Sequence, residues 1–134
     1  LAFFLGGDPN SFHSFVRPGT ESSWHPSGSI FAGAGVTKND SLFSYSGNWG
    51  APGNWSVDIR TKNYRLIFNP LESLRIVERG DDRIHTNDLE DPDNRFKPGL
   101  YRQVEAVLNN DLINLCDIHS HKKMSAVYKI MAGN

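Results

Sequence analysis

The sequence predicts an α+β domain: an open, mainly antiparallel β-sheet of about six strands, with helices packed on one face. Three observations carry this. Between Ser11 and Glu78, apolar and polar residues alternate with period two. Turn signals punctuate the alternation at Lys38-Asn39-Asp40, Ala51-Pro52-Gly53 and Lys62-Asn63. From Lys97 onward the apolar spacing lengthens to that of a helix. The 134 residues fit one domain, so residues 1–134 are read as a single unit.

The chain opens on Leu1-Ala2-Phe3-Phe4-Leu5 followed by Gly6-Gly7. Bulky apolar residues ahead of a glycine form the pattern of a helix's last turn, with the glycine in a left-handed C′ position. No Met and no capping residue precede the run, which predicts a piece of a longer polypeptide.

Six strand runs follow. Phe12, Ser14 and Val16 oppose His13, Phe15 and Arg17; Ile30, Ala32, Ala34 and Val36 oppose Phe31, Gly33 and Gly35. Phe43, Tyr45 and Trp49 oppose Leu42, Ser44, Ser46 and Asn48, and Trp55, Val57 and Ile59 oppose Ser56, Asp58 and Arg60. Tyr64, Leu66 and Phe68 oppose Arg65, Ile67 and Asn69, and Leu74 and Ile76 oppose Arg75 and Val77. The first-named set of each run is expected to face the helices. Phe15, Phe31, Leu42, Ile67 and Val77 interrupt the other face beside Gly33, Ser44 and Ser46, where a solvated face would carry Lys and Glu. That face is expected to be covered in part, most simply by another subunit's sheet, with local edge protection or a bound substrate as the alternatives. Gly33-Ala34-Gly35 sits inside a strand, which favours close backbone packing over phosphate binding.

Residues 80–95 read as an acidic, solvated loop; its spacing is not that of a calcium loop, and Ile84 and Leu89 offer a short edge strand. Pro98 is expected in the first turn of a helix whose stripe is Leu100, Val104, Val107 and Leu108, stopped by Asn109-Asn110-Asp111. A last helix runs from near Asp117 to Met131 on Met124, Val127, Tyr128 and Met131, and extrapolating its stripe backwards puts His121 on the buried side.

Composition excludes several classes. A net charge of −1 and a pI near 6.6 give no electrostatic case for nucleic acid or an anionic membrane, which would call for a basic patch or stripe. No apolar run approaches the ~20 residues of a membrane span. One cysteine, Cys116, rules out an internal disulfide and fits a reducing cytoplasm. In Cys116-Asp117-Ile118-His119-Ser120-His121, the two histidines fall on different helix faces and cannot close a metal site with one another. Cys116 lacks an orienting third group for nucleophilic catalysis. No Gly-x-Gly-x-x-Gly, Walker loop or Gly-x-Ser-x-Gly is present. No catalytic, cofactor-binding or metal-binding residue is therefore assigned.

Two tryptophan-rich stretches remain, Ser23-Trp24-His25-Pro26 and Asn48-Trp49-Gly50-Ala51-Pro52-Gly53-Asn54-Trp55. Ring faces stack on sugar C–H surfaces while amides and imidazoles bond hydroxyls, so Trp24, His25, Asn48 and Trp49 are the candidate substrate-binding residues. Trp55 is expected in the core. For Trp24 and His25, structural and ligand-facing readings stay open. Arg17, before Pro18-Gly19, is a further candidate for an anionic substrate group.

These stretches occur in a distinctive order. A helix end closing on Gly precedes Trp24-His25-Pro26-Ser27-Gly28-Ser29-Ile30-Phe31. Asn48-Trp49-Gly50-Ala51-Pro52-Gly53-Asn54-Trp55, Arg65-Leu66-Ile67-Phe68-Asn69-Pro70-Leu71-Glu72 and Phe96-Lys97-Pro98-Gly99-Leu100-Tyr101 follow. Over nearly its whole length the chain resembles the C-terminal domain of the Gfo/Idh/MocA family of NAD(P)-dependent sugar oxidoreductases, in the branch associated with polysaccharide biosynthesis. The resemblance implies a parent enzyme with an N-terminal Rossmann domain that holds NAD or NADP, a sugar or nucleotide-sugar substrate between the domains, and a homo-oligomer formed through the open sheet face. The family's glycine-rich loop, Lys-Pro motif and catalytic Asp/His positions all fall before residue 1. The fragment is then a substrate and oligomerisation domain, without cofactor and inactive alone. The alternative is a stand-alone, non-catalytic carbohydrate-binding or dimerisation module.

Overall fold

Among the described residues the period-two alternation is realised as seven strands in two antiparallel sheets, of three and four strands, with three helices. The computed structural model describes residues 1–17, 30–86, 96–111, 113 and 115–133. They form two compact units: Leu1–Gly53 with His119–Asn134, and Asn54–Ile118.

In the first unit, helix α1 (Ala2–Gly6) leads into strands β1 (Pro9–Arg17), β2 (Ile30–Thr37) and β3 (Leu42–Asn48), hydrogen-bonded in the order β1-β2-β3. The opening run is thus a helical turn, as its composition predicts. The Gly7 N–H donates to Phe3 O at 2.9 Å, and Gly7 takes φ +93°, although its ψ of 158° is extended rather than left-handed. Between β2 and β3 the predicted turn closes with Asp40 at φ +57°, a conformation its short polar side chain tolerates. Thr37, 2% exposed, accepts the Ser41 N–H on its hydroxyl at 3.2 Å.

One face of this sheet carries Phe12, Ser14, Val16, Phe31, Gly33, Gly35, Phe43, Tyr45 and Gly47, in rows Phe12–Gly35–Phe43, Ser14–Gly33–Tyr45 and Val16–Phe31–Gly47. Each row holds one glycine, set against an aromatic ring at Gly33 and Gly47 and against the Ser11–Phe12 backbone and Phe12 Cβ at Gly35. A Cβ on Gly33 would meet the Tyr45 ring and the His13 carbonyl; one on Gly35 would meet Phe12; one on Gly47 would lie 2.5 Å from the tip of Phe31. This corrects the sequence reading of β2. Phe31 and Gly33 lie on the helix-covered face, while Ala32 and Ala34 are exposed on the other, because the Tyr45 and Phe31 rings and the close-set Ser11–Phe12 segment leave room for glycine alone.

Helices cover this face at both ends. Phe3 of α1 packs edge-on to Phe43, ring centroids 5.3 Å apart. Helix α3 (Ile118–Met131) ends against β1: the Ser14 hydroxyl donates to Met131 O at 2.9 Å, and Gly133, at φ +83°, abuts the Val16 methyls. Asp8, just before β1, accepts from Lys123 of α3 and, at 3.4 Å, from Lys38 of the hairpin turn. The Lys123 hydrogen bond is the main reason the Asp8 carboxyl lies below its ordinary value of 3.8.

The second unit holds β4 (Val57–Arg60), β5 (Tyr64–Phe68), β6 (Leu74–Glu78) and β7 (Ile84–Thr86) in sequential order, then α2 (Leu100–Leu108). The suggested edge strand exists around Ile84; Leu89 lies outside the described residues. Val57, Ile59, Leu66, Phe68, Leu74 and Ile76 share one face, as the alternation predicts. Pro98 precedes α2 rather than entering it: the Leu100 N–H donates to Lys97 O at 3.0 Å, with Gly99 at φ +82°, the geometry of a Pro-Gly type II turn. At the other end Asn110, φ +51°, makes a Schellman stop, with Asp111 N donating to Ala106 O at 2.8 Å and Asn110 N to Val107 O at 3.2 Å. The expected core stripe Leu100, Val104, Val107 and Leu108 is exposed in this structure; α2 buries Ala106, 7% exposed, instead.

Candidate functional site

The sheet register determines which candidate residues meet. Arg17 ends β1 and pairs with Ile30, which pairs in turn with Asn48 at the end of β3. Arg17 and Asn48 thus occupy one row on the open face, two strands apart, or about 10 Å at the usual ~4.8 Å strand spacing. Asn48 Oδ1 accepts the Gly50 N–H at 3.0 Å and Asn48 O accepts from Ala51 at 3.2 Å. This turn leaves the Asn48 amide NH2 as a donor and lifts Trp49 out of the strand, 46% exposed. Trp49 therefore does not continue the Phe43–Tyr45 face as the alternation had it. Trp24 and His25 lie outside the described residues.

Arg17, Asn48 and Trp49 together form a donor-rich sheet end beside an aromatic surface. That chemistry suits an oxygen-rich ligand such as a sugar or its phosphate. Behind this end the open face continues with Phe15, Ala32 and Ser46, then His13, Ala34 and Ser44, then Val36 and Leu42. Phe15 is 75% and Leu42 85% exposed, and between them lie the small side chains of Ala32, Ala34, Ser44 and Ser46.

Trp55 is not in a core: β4 starts two residues later, and the Trp55 side chain is 70% exposed. It belongs to the second unit. His121 is also exposed rather than on the buried side of α3, its ring 6.4 Å from that of Tyr128. Cys116 is an exposed free thiol, and among the described residues no group of three His, Cys, Asp or Glu is placed to hold a metal. No helix among them is long and apolar enough to cross a membrane.

Two charged clusters escaped the sequence reading. On β4 and β5 the Arg65 guanidinium grips Asp58 with Nε at 3.1 Å and a terminal nitrogen at 2.7 Å, and Arg60 approaches the same carboxylate at 3.5 Å. The Arg65 hydrogen bond chiefly holds the Asp58 carboxyl below its ordinary 3.8 and raises Arg65 in return. In the turn before β7, Asp81 accepts from the Arg83 backbone and side chain and lies 3.2 Å from His85 Nε2, its pKa lowered mainly by the Arg83 backbone N–H. Alternation alone places Asp58, Arg60, Arg65 and Arg75 on one face, but only the register says which of them touch.

Comparison of the chain with protein-family models, curated proteins and solved structures yields no match.

Proposed function

We propose that this chain is the substrate and oligomerisation domain of an NAD(P)-dependent sugar oxidoreductase of the Gfo/Idh/MocA type, working in the cytoplasm on a sugar or nucleotide-sugar. The observation that carries the reading is the open face of the β1-β2-β3 sheet. It is exposed and apolar at Phe15 and Leu42, small at its centre, and ends in Arg17, Asn48 and Trp49. A second copy laid on the apolar part buries Phe15 and Leu42 and leaves the polar end at the rim for substrate.

The residues present do not fit a dinucleotide. Every ladder among the described residues is antiparallel, and no glycine-rich turn leads from a strand into a helix N-terminus. Hydride chemistry would belong to a separate Rossmann domain of the parent chain, and this domain would orient the sugar by donating from Arg17 and Asn48 and stacking on Trp49.

The reading frame upstream of the Leu1 codon tests this. The expected result is about 150–200 further residues, one nucleotide-binding domain, containing Gly-x-Gly-x-x-Gly after a strand. A frame that starts at a Met within a few codons of Leu1 would replace the proposal with the stand-alone carbohydrate-binding or dimerisation module.

A further inference from the structure

The polar face of the four-stranded sheet sets three arginines against one carboxylate in two neighbouring rows. The register sets Asp58, Ile67, Arg75 and Thr86 in one row, and Arg60, Arg65, Val77 and Ile84 in the next. Arg75 is thus the diagonal neighbour of Arg65, and diagonal positions, about 7–8 Å apart, are within reach of long side chains. Asp58 is the one carboxylate in these two rows, and Arg65 and Arg60 already occupy it. Arg75 is part-buried, and its Nε is shut off from solvent with no hydrogen-bond partner among the described residues.

A guanidinium cannot relieve burial by giving up its proton. Buried polar atoms are nearly always paired, so an orphaned one asks for a partner, and for a cation that partner is an anion. Three guanidinium groups against one carboxylate leave two positive charges over two adjacent rows. That matches a phosphoryl group, which carries about −1.5 to −2 at neutral pH, better than a single carboxylate. Planar N–H forks also suit its tetrahedral oxygens two at a time.

The geometry points to a phosphoryl-binding site on this face, with the terminal N–H groups of Arg75 as its principal donors, its Nε being enclosed, and the exposed guanidinium groups of Arg65 and Arg60 beside it. The site stands on the second unit alone and holds whether or not the parent-enzyme reading does.

The test follows the arginine Nε–H resonances of the whole chain by 1H–15N NMR during titration with inorganic phosphate and, separately, with a hexose monophosphate. Chloride at matched ionic strength and the unphosphorylated hexose serve as controls. The Arg75 Nε–H signal is expected to shift saturably with both phosphates and with neither control. Tighter binding of the hexose monophosphate would identify a phosphorylated small molecule as the source of the group; equal affinities would identify the phosphoryl group alone as what is recognised. Arg75→Met, which keeps the apolar stem, should weaken binding by about tenfold or more, and Arg75→Lys should retain part of it. An Arg75 signal that does not move at millimolar phosphate, or an Arg75→Met protein that binds as wild type does, overturns the site. Should Arg75→Met fail to fold, the wild-type resonance and Arg75→Lys still decide.

Discussion

At the scale of single residues, the first unit depends on what its glycines leave out. Gly33 sits between the His13 carbonyl and the Tyr45 ring, so any Cβ there displaces backbone or an aromatic side chain. Gly33→Ala is expected to cost about 1–3 kcal/mol, the range for overpacking a filled site. Ala32→Ser, one residue along but on the open face, should change stability by less than about 0.5 kcal/mol. Urea denaturation of the two variants checks the contrast, and equal effects would mean the β2 faces are assigned the wrong way round. Asp58 supplies a second test, this one in pH. Its carboxyl is held below 3.8 by Arg65, so the folded state favours the charged form. Its contribution to stability is complete above the unfolded value and is lost as pH falls through the lower folded one. Asp58→Asn should therefore flatten the acid limb of a stability–pH profile below about pH 4. Because the pair is solvent-exposed, the difference should shrink in high salt; a salt-independent difference would contradict the pairing.

At the scale of elements, the helix ends are built from single backbone conformations. Asn110 closes α2 at φ +51°, which Gly adopts freely and a β-branched residue resists. Asn110→Gly should match or exceed wild-type stability, whereas Asn110→Val should lower it by about 1–2 kcal/mol. Circular dichroism during thermal unfolding measures both, and indifference to Val would show that the stop does not hold the helix. Much of this was legible beforehand. Strand alternation located β2 to β6 within a residue or two and β1 except for its first three residues, and Asn109-Asn110-Asp111 and Asn39-Asp40 marked a helix stop and a hairpin turn, because these signals are local. What was not legible depended on partners distant in sequence. Nothing local says that glycines rather than alanines of β2 face the helices, since that follows from residues on β1 and β3. The turn at Asn48 removed Trp49 from its strand, and the late start of β4 left Trp55 outside, so two tryptophans that alternation placed inside are exposed. Of the candidate site, register alone brought Arg17 and Asn48 into one row, and Arg75 drew notice only once its burial without a partner was visible.

At the scale of the whole molecule, very little apolar surface is deeply buried: among the described residues only Thr37 and Ala106 are buried, at 2% and 7% exposure. Large side chains such as Phe15 and Leu42 remain in solvent on a sheet face whose other residues are mostly small. A soluble monomer gains nothing by keeping such a face bare, because each large apolar group transferred from water into an interface contributes about 1.5–3 kcal/mol. Two copies related by a twofold axis each present Phe15 and Leu42 at opposite edges and Ala32, Ala34, Ser44 and Ser46 between them, so the large groups of one can seat over the small centre of the other. Sedimentation equilibrium across a wide concentration range should therefore find a dimer or higher oligomer. Phe15→Lys with Leu42→Lys should shift it to monomer while leaving the far-ultraviolet spectrum unchanged, since neither side chain touches the helix-covered face. A matched change outside that face, Ile84→Lys on β7, should leave association intact. A wild-type chain that stays monomeric at all concentrations would remove self-association from the proposed role and leave Phe15 and Leu42 to face substrate or another domain of the parent chain.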